Sequence, residues 1–225
     1  MSELRKVYTT VDARDRIVEG ALTVFAQRGF DGATTREIAK EAGVSVGLIH
    51  HHFSDKGTLW QLVGSRISEE FVQAMAGTAD AAQQGSTQGL RTLMAAYMDY
   101  WRTHPRALRF QLWRVLGAPE EERKARSQSL NQMFVPFFAA LQKTGQVRDD
   151  VPPGLLMVTL GGLVQYFLHS DVETQDALAV TGAAPLDHAQ ALDYLISLVA
   201  APAAAPTRKA RRASTASGSP SPSPA

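Results

Sequence analysis

Thr34-Thr35-Arg36-Glu37-Ile38-Ala39-Lys40-Glu41-Ala42-Gly43-Val44-Ser45, continued by Val46-Gly47-Leu48-Ile49-His50-His51-His52-Phe53-Ser54-Asp55-Lys56, is the stretch that decides the fold. Thr34 followed three residues later by Glu37 has the form of a capping box, in which each side chain serves the other's backbone N–H. The helix begun there carries Ile38 and Ala39 on its inner side and stops at Gly43. Ser45 can cap a short second helix, Val46 to His52. Joined by the Gly43-Val44-Ser45 turn, the pair forms a helix-turn-helix, with Val44, Ile49 and Phe53 anchoring the second helix on the first. In this motif the second helix enters the DNA major groove, and both helix starts can aim free N–H groups and a positive dipole at phosphate.

Working outward, helical spacing recurs and strand-like alternation is absent, so the fold class is all-α. Upstream, Ile17, Ala21, Val24 and Phe25 form an apolar stripe on a helix capped by Asp12 and ended by Gly29. Downstream, Ser54 is expected to cap a longer helix from Lys56. Leu90, Leu93, Met94, Tyr97 and Trp101 mark another, closed by His104-Pro105, and Leu108, Leu112 and Val115 a further short one. Residues 120–144 read as helix that Pro136 should kink or split. Residues 155–169 are apolar nearly all round, and Asp187 to Val199 carries a single apolar stripe. The implied organisation is an arm over 1–12, a three-helix head over 13–57, a helical body over 58–200 and a basic Ala/Pro/Ser tail over 201–225.

Charge and composition narrow the function classes. The 225 residues hold 23 Lys/Arg and 22 Asp/Glu, which excludes a globally basic coat for nucleic acid. The tail concentrates Arg208, Lys209, Arg211 and Arg212 in a segment too poor in apolar residues to fold. It reads either as a solvated end or as a weak grip on DNA phosphates. Without cysteine there is no disulfide, thiol catalysis or Cys-ligated metal. No secretory leader and no 20-residue apolar span is visible, so a cytoplasmic protein away from the membrane is expected. Phosphate loop, nucleophile elbow, His-Glu-x-x-His spacing and cofactor fingerprint are all missing, and an enzyme is not expected.

Residues 34–45, with Gly47, the His-His-His-Phe of 50–53, Lys56 and the preceding Ala21-Leu22, Phe25 and Gly29-Phe30, resemble the N-terminal domain of the tetracycline-repressor (TetR) family. The resemblance covers about residues 13–63; beyond that it is one of architecture. It implies a homodimeric repressor on a palindromic operator, with a helical body that binds a small effector and then releases the DNA. Position by position, it places Thr35 on a phosphate and Arg36 at a base-reading position. Ser45, Val46, Gly47 and Leu48 fall on the exposed start of the reading helix, His50, His51 and His52 at DNA contacts, and Lys56 on a phosphate. Two departures matter: His50 stands where a tyrosine is usual, and Val46 favours a thymine methyl over a hydrogen bond.

Other readings of these residues stay open. The three histidines could suggest a metal, but consecutive helical residues point about 100° apart and do not converge on one ion; solvent-facing filler is the other alternative. In the body, Met94, Tyr97, Trp101, Phe110, Trp113, Phe134 and Phe138 are either core or an effector pocket, with Gln165 and His169 as polar partners. No arginine stack or acidic cage singles out a chemical class of ligand, beyond an apolar or amphipathic one. Leu155, Gly161 and Gly162 on one helix, with Leu192, Leu195, Ile196 and Val199 on another, are the candidate dimer surface. The lever between body and head is expected to be the helix from Lys56, its far end against the helix of Tyr97 and Trp101. A DNA-binding regulator without a small-molecule effector, or a helical adaptor, is the rival function.

Overall fold

The computed structural model describes the backbone of residues 2–78 and 86–201, and side chains from residue 13 within those ranges. The tail from 202 onward lies outside the described residues. Among them stand ten helices: α1 Ser2–Gly32, α2 Thr35–Ala42, α3 Val46–His52, α4 Lys56–Ala76, α5 Thr87–Thr103, α6 Pro105–Gly117, α7 Glu120–Lys143, α8 Pro153–His169, α9 Asp171–Val180 and α10 His188–Val199. The only extended pairing described is an isolated bridge between Val147 and Ala200, which ties the end of α10 to the α7–α8 loop.

Several local expectations need correction. Asp12 is not a cap, because the helical backbone continues upstream of it to Ser2. Gly29 does end the regular helix, at φ 69°, with a last turn running on to Gly32. The cap of α4 is Asp55 and not Ser54: its carboxylate accepts from Thr58 N at 2.7 Å, while Ser54 Oγ meets the Thr58 hydroxyl at 2.8 Å. Pro136 does not split α7. The carbonyl it orphans belongs to the exposed Gln132, where water can serve it, and Phe137, Phe138 and Leu141 pack the same helix into the core. α9 escaped the sequence reading because it buries no residue and so shows no stripe.

Head and body share one continuous core. Phe25 of α1, Trp60 of α4 and Phe110 of α6 meet at its centre, with ring centroids 4.9 Å apart for Phe25–Trp60 and 4.3 Å for Trp60–Phe110. Trp113 closes the junction by donating to the Ala26 carbonyl at 3.2 Å. Farther along α4, Phe71 packs on Tyr97, Tyr100 and Trp101 of α5, and the Tyr100 hydroxyl donates to the Ile67 carbonyl. One helix therefore runs from the head's last turn to the middle of the body, its far end against the helix of Tyr97 and Trp101 as expected. From Lys56 to Phe71 the rise is on the order of 22 Å.

Candidate nucleic-acid interface and body cavity

The head's geometry follows from short-range chemistry. Thr34 Oγ1 accepts from Glu37 N at 3.2 Å, and Glu37 Oε2 accepts from Thr34 N at 3.0 Å, completing the capping box. The Thr34 hydroxyl also donates to that carboxylate, and Arg28 pairs with its other oxygen at 3.2 Å. The Thr34 hydroxyl bond foremost, with its backbone bond and Arg28, holds the Glu37 carboxyl below the usual carboxylate range against the opposing desolvation. Gly43 takes φ 64° and ψ 39°, a left-handed conformation that a side chain would strain, and Val44 N donates back to Ala39 O at 3.0 Å. Ser45 Oγ then caps α3 through Leu48 N.

That arrangement sorts the candidate DNA contacts. Arg36, Ser45, Gly47, His50 and His51 are exposed, and Thr35 is half-buried. Val46 and Leu48 are also half-buried and lean on the core. Ile49 and Phe53 lock α3 down from beneath. His52 departs from its expected place: it packs between His51 and Phe53, and its Nε2 is buried without a hydrogen bond. Lys56 is also differently employed. Its ammonium donates to the Phe30 and Ala33 carbonyls at 2.6 and 2.9 Å and lies 4.4 Å from the Phe30 ring centre, so it latches α4 to the α1–α2 connection.

Two of the head's acidic residues are drawn toward the body. Asp15 and Glu19 face Arg66 of α4 at 4.0 and 3.5 Å, and Glu19 also meets Arg106 of α6 at 3.2 Å. With Glu37 engaged by Thr34 and Arg28, Arg36 projects from the first turn of α2 with no ion-pair partner among the described residues. A neutral head thus presents an unpaired cation outward.

Two of the cavities in the body share a wall. The first, about 280 Å³, is lined mainly by apolar side chains from α4, α5, α7 and α8, among them Phe71, Met94, Phe134, Phe138 and Met157. The second, about 510 Å³, is the more polar of the two although its lining is still largely apolar: Arg114, Glu122, Arg126, Gln111 and Ser129 contribute to it beside Trp101, Ile67 and Val72. Phe71, Tyr97, Leu130 and Gln165 line both. On that wall the Gln165 amide donates to the Tyr97 hydroxyl at 2.7 Å. Burial pushes the Tyr97 hydroxyl up to about 12, outweighing the favourable influence of Gln165 and of the nearby Trp101 N–H, which does not reach hydrogen-bond geometry.

Within the polar cavity Arg114 is buried and donates through Nε and Nη2 to Glu122 Oε1 at 3.2 and 2.9 Å. Gln61 of α4 donates to Glu122 Oε2 at 3.0 Å. Burial pushes the Glu122 carboxyl up, but Arg114 and Gln61 more than offset it and leave it below the usual range. Gly64 permits this packing, because a Cβ there would stand 2.8 Å from Arg114 Nη1. Arg126 has no such partner: its Nη1 is buried without a hydrogen bond. Burial, with Arg114 beside it, holds its guanidinium below the ordinary value.

Of the expected effector residues, Met94, Tyr97, Phe134, Phe138 and Gln165 line the apolar cavity and Trp101 the polar one. Phe110 and Trp113 do not join them. Phe110 is 0% exposed in the head–body junction, and Trp113 stacks over Gly29 outside the body cavities. His169 is exposed beside Tyr166 and bonds Ser170. Arg114 and Arg126 correct the expectation of a body without clustered arginines; they are twelve positions apart on different helices, and neither spacing nor composition marks them as neighbours.

The dimer candidates divide in the same way. Leu192, Leu195, Ile196 and Val199 are buried in the chain's own core, so the stripe on α10 is already covered. Gly161 and Gly162 line the apolar cavity. Leu155 is exposed, as are Val158 and Tyr166 on α8 and Tyr194 and Leu198 on α10, all large apolar side chains absent from the expected set except Leu155. Among the described residues no His, Asp and Glu side chains gather to hold a metal ion, and no single helix is long and apolar enough to cross a membrane.

Comparison with known proteins matches both parts of the chain. Residues 17–62 fit the model described as bacterial regulatory proteins, tetR family, and residues 90–192 that of the tetracyclin repressor-like C-terminal domain. The HTH-type transcriptional repressor Rv1474c of Mycobacterium tuberculosis is 32% identical over 147 residues, 64% of this chain and 73% of that one. The probable HTH-type transcriptional regulator YttP of Bacillus subtilis is 35% identical over 101 residues, 44% of this chain and 49% of that one, so the match spans about half its length. The crystal structure of a TetR family transcription regulator from Marinobacter aquaeolei superposes with a TM-score of 0.65 at 19% identity, covering 90% and 100% of the two chains, a likeness of fold alone.

Proposed function

The chain belongs to the tetracycline-repressor family of transcriptional regulators, and from that premise we propose that it is a cytoplasmic, homodimeric repressor whose hold on a palindromic operator is released by a small molecule in the body. The observation that carries this reading is the head: a rigidly capped α2–α3 unit exposes Arg36, Ser45, Gly47, His50 and His51 while Ile49 and Phe53 fix α3 from beneath. Arg36 is the base-reading candidate, and Thr35 with the outward histidines supplies positioning contacts. Named repression by the mycobacterial relative supports the sign of regulation.

A two-fold dimer would set two reading heads about 34–36 Å apart, or a multiple of that. Leu155, Val158 and Tyr166 on α8, with Tyr194 and Leu198 on α10, form the surface offered for it. The apolar cavity supplies the effector site, and α4 supplies the connection: Phe71 and Met75 in the cavity wall, Gln61 at the Glu122 hub, Lys56 at the head. An effector that favours one setting of α4 by about 1.4 kcal/mol changes operator affinity tenfold. A footprint on the DNA flanking the chain's own gene, followed by a gel shift with Arg36→Ala protein, tests the reading; an unprotected duplex, or equal shifts by both proteins, defeats it.

A further inference from the structure

We propose that the body takes an amphipathic carboxylate, its alkyl or aryl part in the Met94–Phe134–Phe138 cavity and its carboxylate on Arg126 and Trp101 in the adjoining polar one. This rests on the effector reading above and names the effector's chemical class.

The donor inventory carries the inference. Three side-chain polar atoms among the described residues are buried without a hydrogen-bond partner, His52 Nε2, Trp101 Nε1 and Arg126 Nη1. Two of the three belong to residues lining one cavity. An indole N–H and a guanidinium can only donate. Tyr97, on the wall between the two cavities, adds a further donor, since its hydroxyl accepts from Gln165 and keeps its own proton to give. Leaving buried donors unsatisfied destabilises a fold, and two of them on residues that line one cavity call for an acceptor there.

Charge decides what sort of acceptor. Arg114 is matched by Glu122, so Arg126 is the one guanidinium of the lining without a counter-charge at hydrogen-bond distance. Glu69 stands at the exposed rim and pairs with neither arginine, where solvent screens it. One uncompensated cation suits a monoanion; a dianion would exceed it. The planar guanidinium fork matches a carboxylate. The neighbouring cavity, lined chiefly by Phe, Met and Leu, offers no ion pair of its own and accepts the apolar remainder. Phe71, Tyr97, Leu130 and Gln165 border both spaces, so one elongated molecule would have its head and tail on either side of that wall.

The position of Arg126 gives the ligand a route to the head. It lies one helical turn from Glu122 on α7, and Glu122 holds Gln61 of α4. A carboxylate on Arg126 brings a second negative charge toward Glu122 and strains its hold on α4.

Calorimetric titration of the full chain without DNA tests this, using decanoate and 4-phenylbutyrate as probes beside decan-1-ol and 4-phenylbutan-1-ol, on wild type and Arg126→Met. Expected is binding of at least one acid to wild type, more tightly than its alcohol, with a loss of tenfold or more in Arg126→Met and little change for the alcohol. Because Arg126 Nη1 bonds nothing, the ligand-free variant should melt at or above the wild-type temperature. Failure of both acids to bind, equal binding by the two proteins, alcohols that match the acids, or a clear fall in the melting temperature of ligand-free Arg126→Met would each overturn the proposal. Adding DNA separates the two readings. An acid that binds through Arg126 yet leaves operator affinity unchanged defeats the regulatory reading alone. An effector that releases DNA equally from both proteins defeats this one alone.

Discussion

Gln61 Nε2 donates to Glu122 Oε2 at 3.0 Å, and this bond joins the helix that begins at the reading head to the helix that borders both body cavities. Glu122 is simultaneously the counter-charge of the buried Arg114. The same carboxylate therefore pairs with a buried cation of the body and holds α4. Its two tasks can be separated by substitution.

Glu122→Ala leaves Arg114 buried and unpaired and should cost on the order of 3 kcal/mol, read as a lowered midpoint in urea. Gln61→Ala leaves the Arg114–Glu122 pair intact and should cost under about 1 kcal/mol. Of the two, Gln61→Ala is the informative one for signalling: it should bind effector normally while blunting the change in operator affinity. Equal losses of stability in the two variants would argue that the ion pair and the Gln61 bond carry the same load.

Lys56 provides a test of position against contact. A lysine that only touches phosphate contributes nothing to the melting temperature of the free protein. With its ammonium on the Phe30 and Ala33 carbonyls, Lys56→Met should lower stability by about 1–2 kcal/mol in the absence of DNA. An unchanged melting temperature, with a salt slope of DNA binding reduced by about one unit, would restore the phosphate role.

The acid side of the stability profile should report on the head's caps. Glu37, through the Thr34 hydroxyl first, and Asp55, through Thr58 N first, both titrate below their ordinary values. A carboxyl whose folded value is depressed contributes stability that is present above its unfolded value and lost as pH falls through the folded one. The head should thus weaken as pH falls below the normal carboxylate range. Thr34→Ala should cost about 1 kcal/mol at neutral pH and flatten that acid limb; an acid limb as steep as that of wild type would place its origin elsewhere.

The dimer surface can be checked by a pair of contrasting variants. Tyr166→Glu with Tyr194→Glu changes exposed positions and should give folded monomers in sedimentation that no longer bind the operator. Leu195→Glu places a charge at a position with 0% exposure and should unfold the chain, with no folded monomer to measure. Folded monomers from Leu195→Glu would mean that the stripe on α10 faces a partner after all.

The head was legible in the sequence because its determinants act over three or four residues. Thr34 and Glu37, Gly43, and Ser45 with Leu48 all complete their bonds within one turn. Ser54 and Asp55 are both able caps and adjacent, so composition could not choose between them. The α10 stripe was legible as apolar, but periodicity says only that a face is buried, not whether its own core or a second chain buries it. Aromatic richness likewise marked the body without dividing cavity from junction: Phe110 and Trp101 look alike in sequence and stand in different places. Arg114, Glu122, Arg126 and Gln61 meet across three helices, and no local pattern announces such a meeting.

The central claim is that the head reads DNA sequence through Arg36, and fluorescence anisotropy at physiological salt tests it most directly. The titration uses wild type and Arg36→Ala on the duplex protected in the footprint and on a scrambled duplex of equal composition. Expected is a preference of about a thousandfold or more for the protected duplex by wild type. Arg36→Ala should narrow that preference by roughly 5–150-fold, equivalent to about 1–3 kcal/mol, with little change on the scrambled duplex. Equal affinity of wild type for the two duplexes, or a preference untouched by Arg36→Ala, would contradict it.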